Sequence, residues 1–269
     1  MNNSNKNHNI NTIDRILDYQ ILETVYSGSR TLVYRAIRNK DQLPVIIKLL
    51  KNEYLTFSEL VHFRNQYTIA KNLKSPLIVQ IYSLEVYKNG YVLVMEDFRG
   101  ISIKQWVLKE HNALSLMEFL FLAISLCNIL DLLYRERIIH KDIKPSNILI
   151  NPQTKQVKLI DFSIASLLPL ETQNIINSKV LEGTLSYISP EQTGRMNRGI
   201  DYRSDFYSLG VTFYELLTRE LPFSSNDPME LVLCFSNAGN CLRTISNPNS
   251  SGFVESTARR LGDSPESGV

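Results

Sequence analysis

Two short stretches concentrate side chains that could do chemistry: Ile139-His140-Lys141-Asp142-Ile143-Lys144-Pro145-Ser146-Asn147, running into apolar Ile148-Leu149-Ile150, and Leu159-Ile160-Asp161-Phe162-Ser163. Asp142 and Asp161 are carboxylates able to take a proton or hold a hard cation. Asn147 adds a neutral oxygen ligand, and Lys144 a positive charge. Singly, an aspartate before a loop caps or solvates a turn. Here the polar groups recur at fixed steps between β-branched flanks, a pattern that turn chemistry does not require.

Such groups need a scaffold, and the composition supplies one. The chain has 269 residues, 43% hydrophobic and 21% charged, as in globular proteins of one or two domains. No stretch approaches the roughly 20 consecutive apolar residues of a membrane span. Lys+Arg 29 against Asp+Glu 27 leaves a net charge of +2, which removes the general electrostatic case for nucleic acid or anionic lipid as the main partner. Cys127, Cys234 and Cys241 form no CxxC pair, so neither a disulfide framework nor a zinc site is indicated and a reducing, cytoplasmic setting fits. The start, MNNSNKNHNINTID, lacks the apolar segment of a secretory signal and reads as part of a disordered leader, residues 1–18.

From Tyr19 to about Tyr54, short runs (Ile21, Val25, Leu32-Val33-Tyr34, Val45-Ile46-Ile47) separated by turn signals predict an antiparallel sheet. Residues 57–73 read as a helix, and Ile78 to Tyr87 and Tyr91 to Asp97 flank Lys88-Asn89-Gly90, a hairpin signal. Residues 19–97 thus form a β-rich lobe. Beyond Gly100, Leu116, Phe119, Leu120, Ala123, Leu126, Cys127, Leu130 and Leu133 recur at helical steps, and a further helix is predicted over 204–218. Residues 98–234 thus form a helical lobe.

The two chemical stretches resemble the protein-kinase catalytic loop, H-R-D-x-x-x-x-N, and the metal-binding D-F-G. The resemblance implies a two-lobed α+β fold with ATP and Mg²⁺ between the lobes, and phosphoryl transfer to a Ser or Thr hydroxyl of a protein substrate in signalling. By that resemblance Asp142 accepts the hydroxyl proton, Asn147 and Asp161 hold Mg²⁺, and Lys144 stabilises the transferred phosphoryl group. His140 is read as a buried ring supporting Phe162 rather than as a proton carrier. Pro44-Val45-Ile46-Ile47-Lys48-Leu49 resembles the V-A-I-K strand, making Lys48 a phosphate ligand. Tyr91-Val92-Leu93-Val94-Met95-Glu96-Asp97-Phe98 resembles the strand and hinge beside the adenine, with Met95, Glu96 and Phe98 at the base. Gly183-Thr184-Leu185-Ser186-Tyr187-Ile188-Ser189-Pro190-Glu191 resembles the end of an activation segment, with Ser189 in place of Ala. There Thr184 would bond Asp142 and Lys144, and Glu191 would pair with an Arg. A Lys two residues after the catalytic Asp is typical of Ser/Thr specificity. Asp205 matches the buried Asp that supports the catalytic-loop backbone.

Two departures stand out. Aligning Val33 with the Val of G-x-G-x-x-G-x-V leaves only Gly28 of three glycines, with Tyr26 and Thr31 at the other two positions. The helix that should give Lys48 a Glu partner carries Gln66 there, and Glu59, two turns earlier, is too distant to substitute. The resemblance runs from about Tyr19 to Met229, and its wording, with Lys141 in place of Arg and Glu191-Gln192-Thr193-Gly194-Arg195, is similar to the kinase module of large bacterial signalling proteins, where ATPase, sensor and histidine-kinase domains follow. Gln66 and the depleted glycine loop keep a second class open, a nucleotide-binding or interaction module without catalysis. A third is a gene fragment without activity of its own.

Composition changes near Cys234: about 15 of the 35 residues from Phe235 to Val269 are Ser, Gly or Asn. The expectation is a kinase lobe lacking its last helices, with Phe213, Leu216 and Leu217 short of partners and Glu191 without its Arg, for which Arg259 and Arg260 are poor candidates. Limited proteolysis should then remove about residues 235–269 quickly and leave a marginally stable core. A protease-resistant tail with ordinary cooperative unfolding would contradict this reading.

Overall fold

Alternating β-branched sequence closes into strands β1 (Arg15–Ile16), β2 (Tyr19–Ser27), β3 (Thr31–Arg38), β4 (Leu43–Leu50), β5 (Ile81–Tyr87) and β6 (Gly90–Glu96), one antiparallel sheet in the order β1-β2-β3-β4-β6-β5. The structure, a computed structural model, describes residues 15–51, 54–109, 114–168, 184–193 and 199–223. The chain divides into Met1–Pro222 and Phe223–Val269, and the description below concerns the first unit. The tail, with Cys234, Cys241, Arg259 and Arg260, lies outside the described residues.

Period-two alternation decides what the sheet presents. Val45, Ile47 and Leu49 of β4 pack with Tyr34, Ala36, Val92 and Val94 on one face. Ile46 and Leu50 turn to the other face, against a cluster containing Phe63, Leu93 and Met95. Lys48 shares that second face by register, so a one-residue slip would bury it in the first core. The leader expected through residue 18 is corrected at its end: Ile16 pairs with Tyr19 across β1 and β2 and is 1% exposed. One apolar side chain in a polar stretch closes the sheet core. The hairpin forms where expected; a Cβ on Gly90 would meet the tip of the Leu55 side chain at 2.5 Å, and the positive φ belongs to Lys88, 51°.

Helix α1 (Phe57–Ala70) opens on a capping box: Thr56 Oγ1 accepts from Glu59 N at 3.2 Å, and a Glu59 carboxylate oxygen accepts from Thr56 N at 2.9 Å. Glu59 is thereby committed to the cap. The helix stops at Ala70, short of the predicted residue 73, and Leu73 beyond it is buried.

The helical lobe contains β7 (Ile101–Ser102), α2 (Ile103–Lys109), α3 (Leu116–Arg135), β8 (Ile138–Ile139), β9 (Ile148–Ile150), β10 (Val157–Leu159), β11 (Ser166–Leu167) and α4 (Arg203–Thr218). The short strands form a three-stranded sheet, β10-β9-β7, and a pair, β11-β8. Although no membrane-length apolar stretch was expected, α3 is long and apolar enough to cross a membrane. Its Leu122, Leu126, Ile129 and Leu133 are nonetheless built into the core with Ile148, Leu159, Phe162 and Leu209. Ile69, Ala70, Leu73 and Ile78 from the first lobe join this core. Two backbone hydrogen bonds, Val79 N to Leu159 O at 3.2 Å and Leu159 N to Leu77 O at 2.9 Å, tie the lobes together.

Of the three α4 residues expected to be short of partners, two have them. Leu216 is buried, Phe213 meets Phe119 edge-on at 5.5 Å, and Leu217 is 55% exposed. Helix α3 supplies the partners.

If Ile16 closes the sheet core, Ile16→Ala should lower the unfolding free energy by about 2–4 kcal/mol in a denaturant titration, as buried Ile-to-Ala changes do. A change below ~0.5 kcal/mol, the range of surface substitutions, would return residues 15–18 to the leader.

Candidate active site

The loop after β8 is shaped by a residue far along the chain. Asp205, buried in the first turn of α4, accepts His140 N at 2.7 Å and Lys141 N at 2.8 Å. Burial pushes its carboxyl up, against the pull of His140 and the two N–H donors. Lys141 takes a positive φ of 67° at this bend. The His140 ring stacks edge-on to Phe162 at 4.9 Å; its Nδ1 accepts from Asp142 N at 3.3 Å, so Nε2 carries the proton toward Ile160 O at 3.1 Å. Both nitrogens are occupied by backbone, so His140 is a supporting ring.

Asp142 is oriented on all sides. Its Oδ2 accepts from Lys144 Nζ at 2.6 Å and Asn147 Nδ2 at 2.7 Å, and its Oδ1 accepts from Thr184 N at 3.2 Å and Thr184 Oγ1 at 3.0 Å. Lys144 Nζ also donates to Thr184 Oγ1. Four residues singled out in sequence therefore meet at one carboxylate, and a folded structure of this kind pre-pays their orientation.

Across the cleft, Lys48 Nζ donates to Gln66 Oε1 at 2.9 Å and Asp161 Oδ2 at 3.1 Å. Gln66 is 2% exposed, so the neutral partner is a core group. Burial alone would raise the Asp161 carboxyl, but the charge and hydrogen bond of Lys48 prevail and hold it down to about 2. Its Oδ1 is buried and has no hydrogen-bond partner among the described residues. An ionised carboxylate with an unsatisfied buried oxygen suits a hard divalent cation. Asn147 uses its nitrogen on Asp142, leaving its oxygen as the ligand end. Asp161 and Asn147 thus fit Mg²⁺, which takes few protein ligands and completes its shell with phosphate and water.

The hinge strand is pinned from behind. The Glu96 carboxylate pairs with Lys158 Nζ at 2.6 and 2.8 Å, Glu96 N donates to Gln80 O at 2.9 Å, and Phe98 O accepts from Asn151 Nδ2 at 3.0 Å. Met95 is buried. Asp97 pairs with Arg35 Nε at 2.9 Å. In the β2–β3 turn, Gly28 N donates to Thr31 O at 2.9 Å, and a Cβ on Gly28 would lie 2.5 Å from the Tyr26 hydroxyl. A side chain here would have to displace the Tyr26 ring, which is 55% exposed. Val33 is paired with Lys48 across β3 and β4.

Gly183 lies outside the described residues, but the segment from Thr184 onward is anchored. Ser189, the departure from Ala, donates N and Oγ to Gln192 Oε1, both at 3.0 Å, and Gln192 Nε2 donates to Lys141 O at 3.1 Å. Glu191, expected to be without its Arg, accepts from Ser204 Oγ at 2.6 Å. A nearby hydroxyl on α4 supplies the hydrogen bond.

Three positioning groups escaped the sequence reading: Gln192, Lys158 and Asn65, whose Nδ2 faces the carbonyls of residues 162, 163 and 165. No spacing rule marks them, because each acts on a partner distant in the chain.

A family model described as protein kinase domain matches residues 19–256, ending beyond Met229 where the motif-by-motif resemblance stops. The chain is 32% identical over 216 residues to a probable serine/threonine-protein kinase of Clostridium perfringens, covering 80% of this chain and 31% of that protein. To the serine/threonine-protein kinase PrkC of Bacillus subtilis it is 34% identical over 223 residues, 80% of this chain and 32% of that one. To serine/threonine-protein kinase A of a Synechocystis species it is 35% identical over 223 residues, 76% and 41%. The chain therefore spans about a third to two-fifths of the length of these curated relatives.

Replacing Gln66 by Glu should give Lys48 a charge-assisted partner at the same distance, and either tighten ATP binding or raise turnover. A decrease in both quantities would show that the amide has a different task.

Proposed function

Since the chain belongs to the protein kinase domain family, we propose that it transfers the γ-phosphoryl group of ATP to a serine or threonine hydroxyl of a protein substrate, as a signalling step. The observation that carries this reading is the fourfold-held carboxylate of Asp142, tied through Lys144 to Thr184. A module that only binds nucleotide has no use for that arrangement.

In this mechanism Lys48 meets the α- and β-phosphates, with Asp161 fixing its ammonium. Asp161 and Asn147 would hold Mg²⁺, which when bound would supply positive charge against the phosphate oxygens. Asp142 turns the substrate hydroxyl toward the γ-phosphorus and takes its proton as the new O–P bond forms and the bond to the ADP oxygen breaks. All four lone-pair positions of Asp142 are engaged, so the incoming hydroxyl replaces one donor. Lys144 stays beside the reacting oxygens and offsets their charge. The pairing of Lys144 with Thr184, and the serine/threonine kinases among the relatives, support Ser/Thr rather than Tyr as acceptor. We take a reducing cytoplasm as its setting, from cysteines that form no CxxC pair, and a protein as its partner rather than nucleic acid or lipid, from a net charge of only +2.

Asp142→Asn should lose roughly 10²- to 10⁴-fold in transfer rate, the usual contribution of a positioned acid or base, while Mg·ATP binding is retained. Phosphate incorporation and nucleotide titration on the purified chain measure the two separately. A wild-type chain that binds Mg·ATP but transfers no faster than Asp142→Asn would reassign it to the binding-module class.

A further inference from the structure

Asn65 stands on α1 one residue before Gln66. Its Nδ2 lies 2.8 Å from Ala165 O, 3.0 Å from Ser163 O and 3.4 Å from Phe162 O. Three converging carbonyls fix which end of the amide faces them, because only the NH₂ group can donate. They belong to the turn directly after Asp161.

Helix α1 thus reaches Asp161 by two routes. One runs from Gln66 through Lys48 to the Asp161 carboxylate. It begins with a neutral amide, a weaker holder of an ammonium than a carboxylate. The other runs from Asn65 to the main chain of residues 162–165 and needs no charge. Asp161 itself takes a φ of 68°, in the left-handed region that aspartate tolerates better than most non-glycine residues. Upstream, Ile160 N donates to Asn147 O at 2.9 Å; downstream, Asn65 holds the turn.

We propose that Asn65 is a positioning residue that locks the 162–165 turn to α1, sets the Asp161 carboxylate against Lys48, and carries the part of the coupling that the neutral Gln66 leaves weak. Its kinetic consequence rests on the phosphoryl-transfer reading; its effect on nucleotide affinity and local opening does not.

Three variants of the full chain separate the possibilities. Asn65→Ala removes the donors, Asn65→Asp keeps the shape but turns a carboxylate on three carbonyls, and Gln66→Glu strengthens the other route. Mg·ADP affinity by calorimetry, hydrogen exchange of peptides over 57–70, 116–135 and 160–168, and phosphate transfer are read for each. Asn65→Ala should weaken Mg·ADP binding about 3- to 10-fold, the size of one net hydrogen bond. Exchange should quicken over 160–168 while α3 is unchanged, and Asn65→Asp should be worse. Gln66→Glu should recover more affinity in the Asn65→Ala background than it adds to wild type, because the routes share one task. Unaltered affinity and exchange, an equal gain in both backgrounds, or exchange rising equally in α3 would each overturn the proposal. Absence of transfer in the wild-type chain would instead count against the phosphoryl-transfer reading, with affinity and exchange still deciding Asn65.

Discussion

A buried carboxylate at the start of a helix holds the reactive loop in shape. Asp205 takes two successive backbone N–H groups, and those two bonds turn the chain sharply at Lys141. Everything after the bend inherits its direction: Asp142 faces Lys144 and Thr184, and Asn147 closes back on Asp142. Burying the carboxylate opposes its ionisation, so the arrangement persists because the donors are backbone groups that would themselves be unsatisfied without it. Ser204, its neighbour, reaches Glu191, and Gln192 beside that residue returns to Lys141 O. One helix start therefore supports the reactive loop directly and the segment from Thr184 onward indirectly.

The sheet lobe solves a different problem, that of presenting one ammonium from a sheet face otherwise packed with apolar side chains. Alternation along β4 gives Lys48 its face, and α1 with Asp161 supplies the acceptors. Two oxygens of different character share the charge, a neutral amide and an ionised carboxylate. The carboxylate is the one that also suits a cation, so the binding of a metal and the holding of Lys48 draw on the same side chain.

Sequence alone made the motif residues legible because their types and steps are local: Asp142, Lys144 and Asn147 sit within one loop, and Lys48 within one alternating strand. The strand and helix pattern was equally local, and Gln66 was located from the segment that follows its helix. What stayed hidden was long-range. Asn65 binds a turn about a hundred residues away, and Lys158 reaches Glu96 across 62 positions. Ile16 was absorbed into a polar leader because a single apolar residue has no periodicity. The hydroxyl serving Glu191 has no local signal either, since Ser204 lies 13 residues on, immediately before Asp205.

Helix α1 is anchored unevenly, and that makes it a lever. Its foot, at Ile69 and Ala70, is part of the helical core, whereas Tyr54 and Phe57 at its head are largely in solvent. At 1.5 Å per residue, Gln66 stands about 6 Å from Ala70 and Thr56 about 21 Å from it. A tilt about the foot therefore carries the head more than three times as far as it carries Gln66. A displacement of the exposed head is geared down before it reaches Lys48, to tenths of an ångström at Gln66 for each ångström of travel at Thr56.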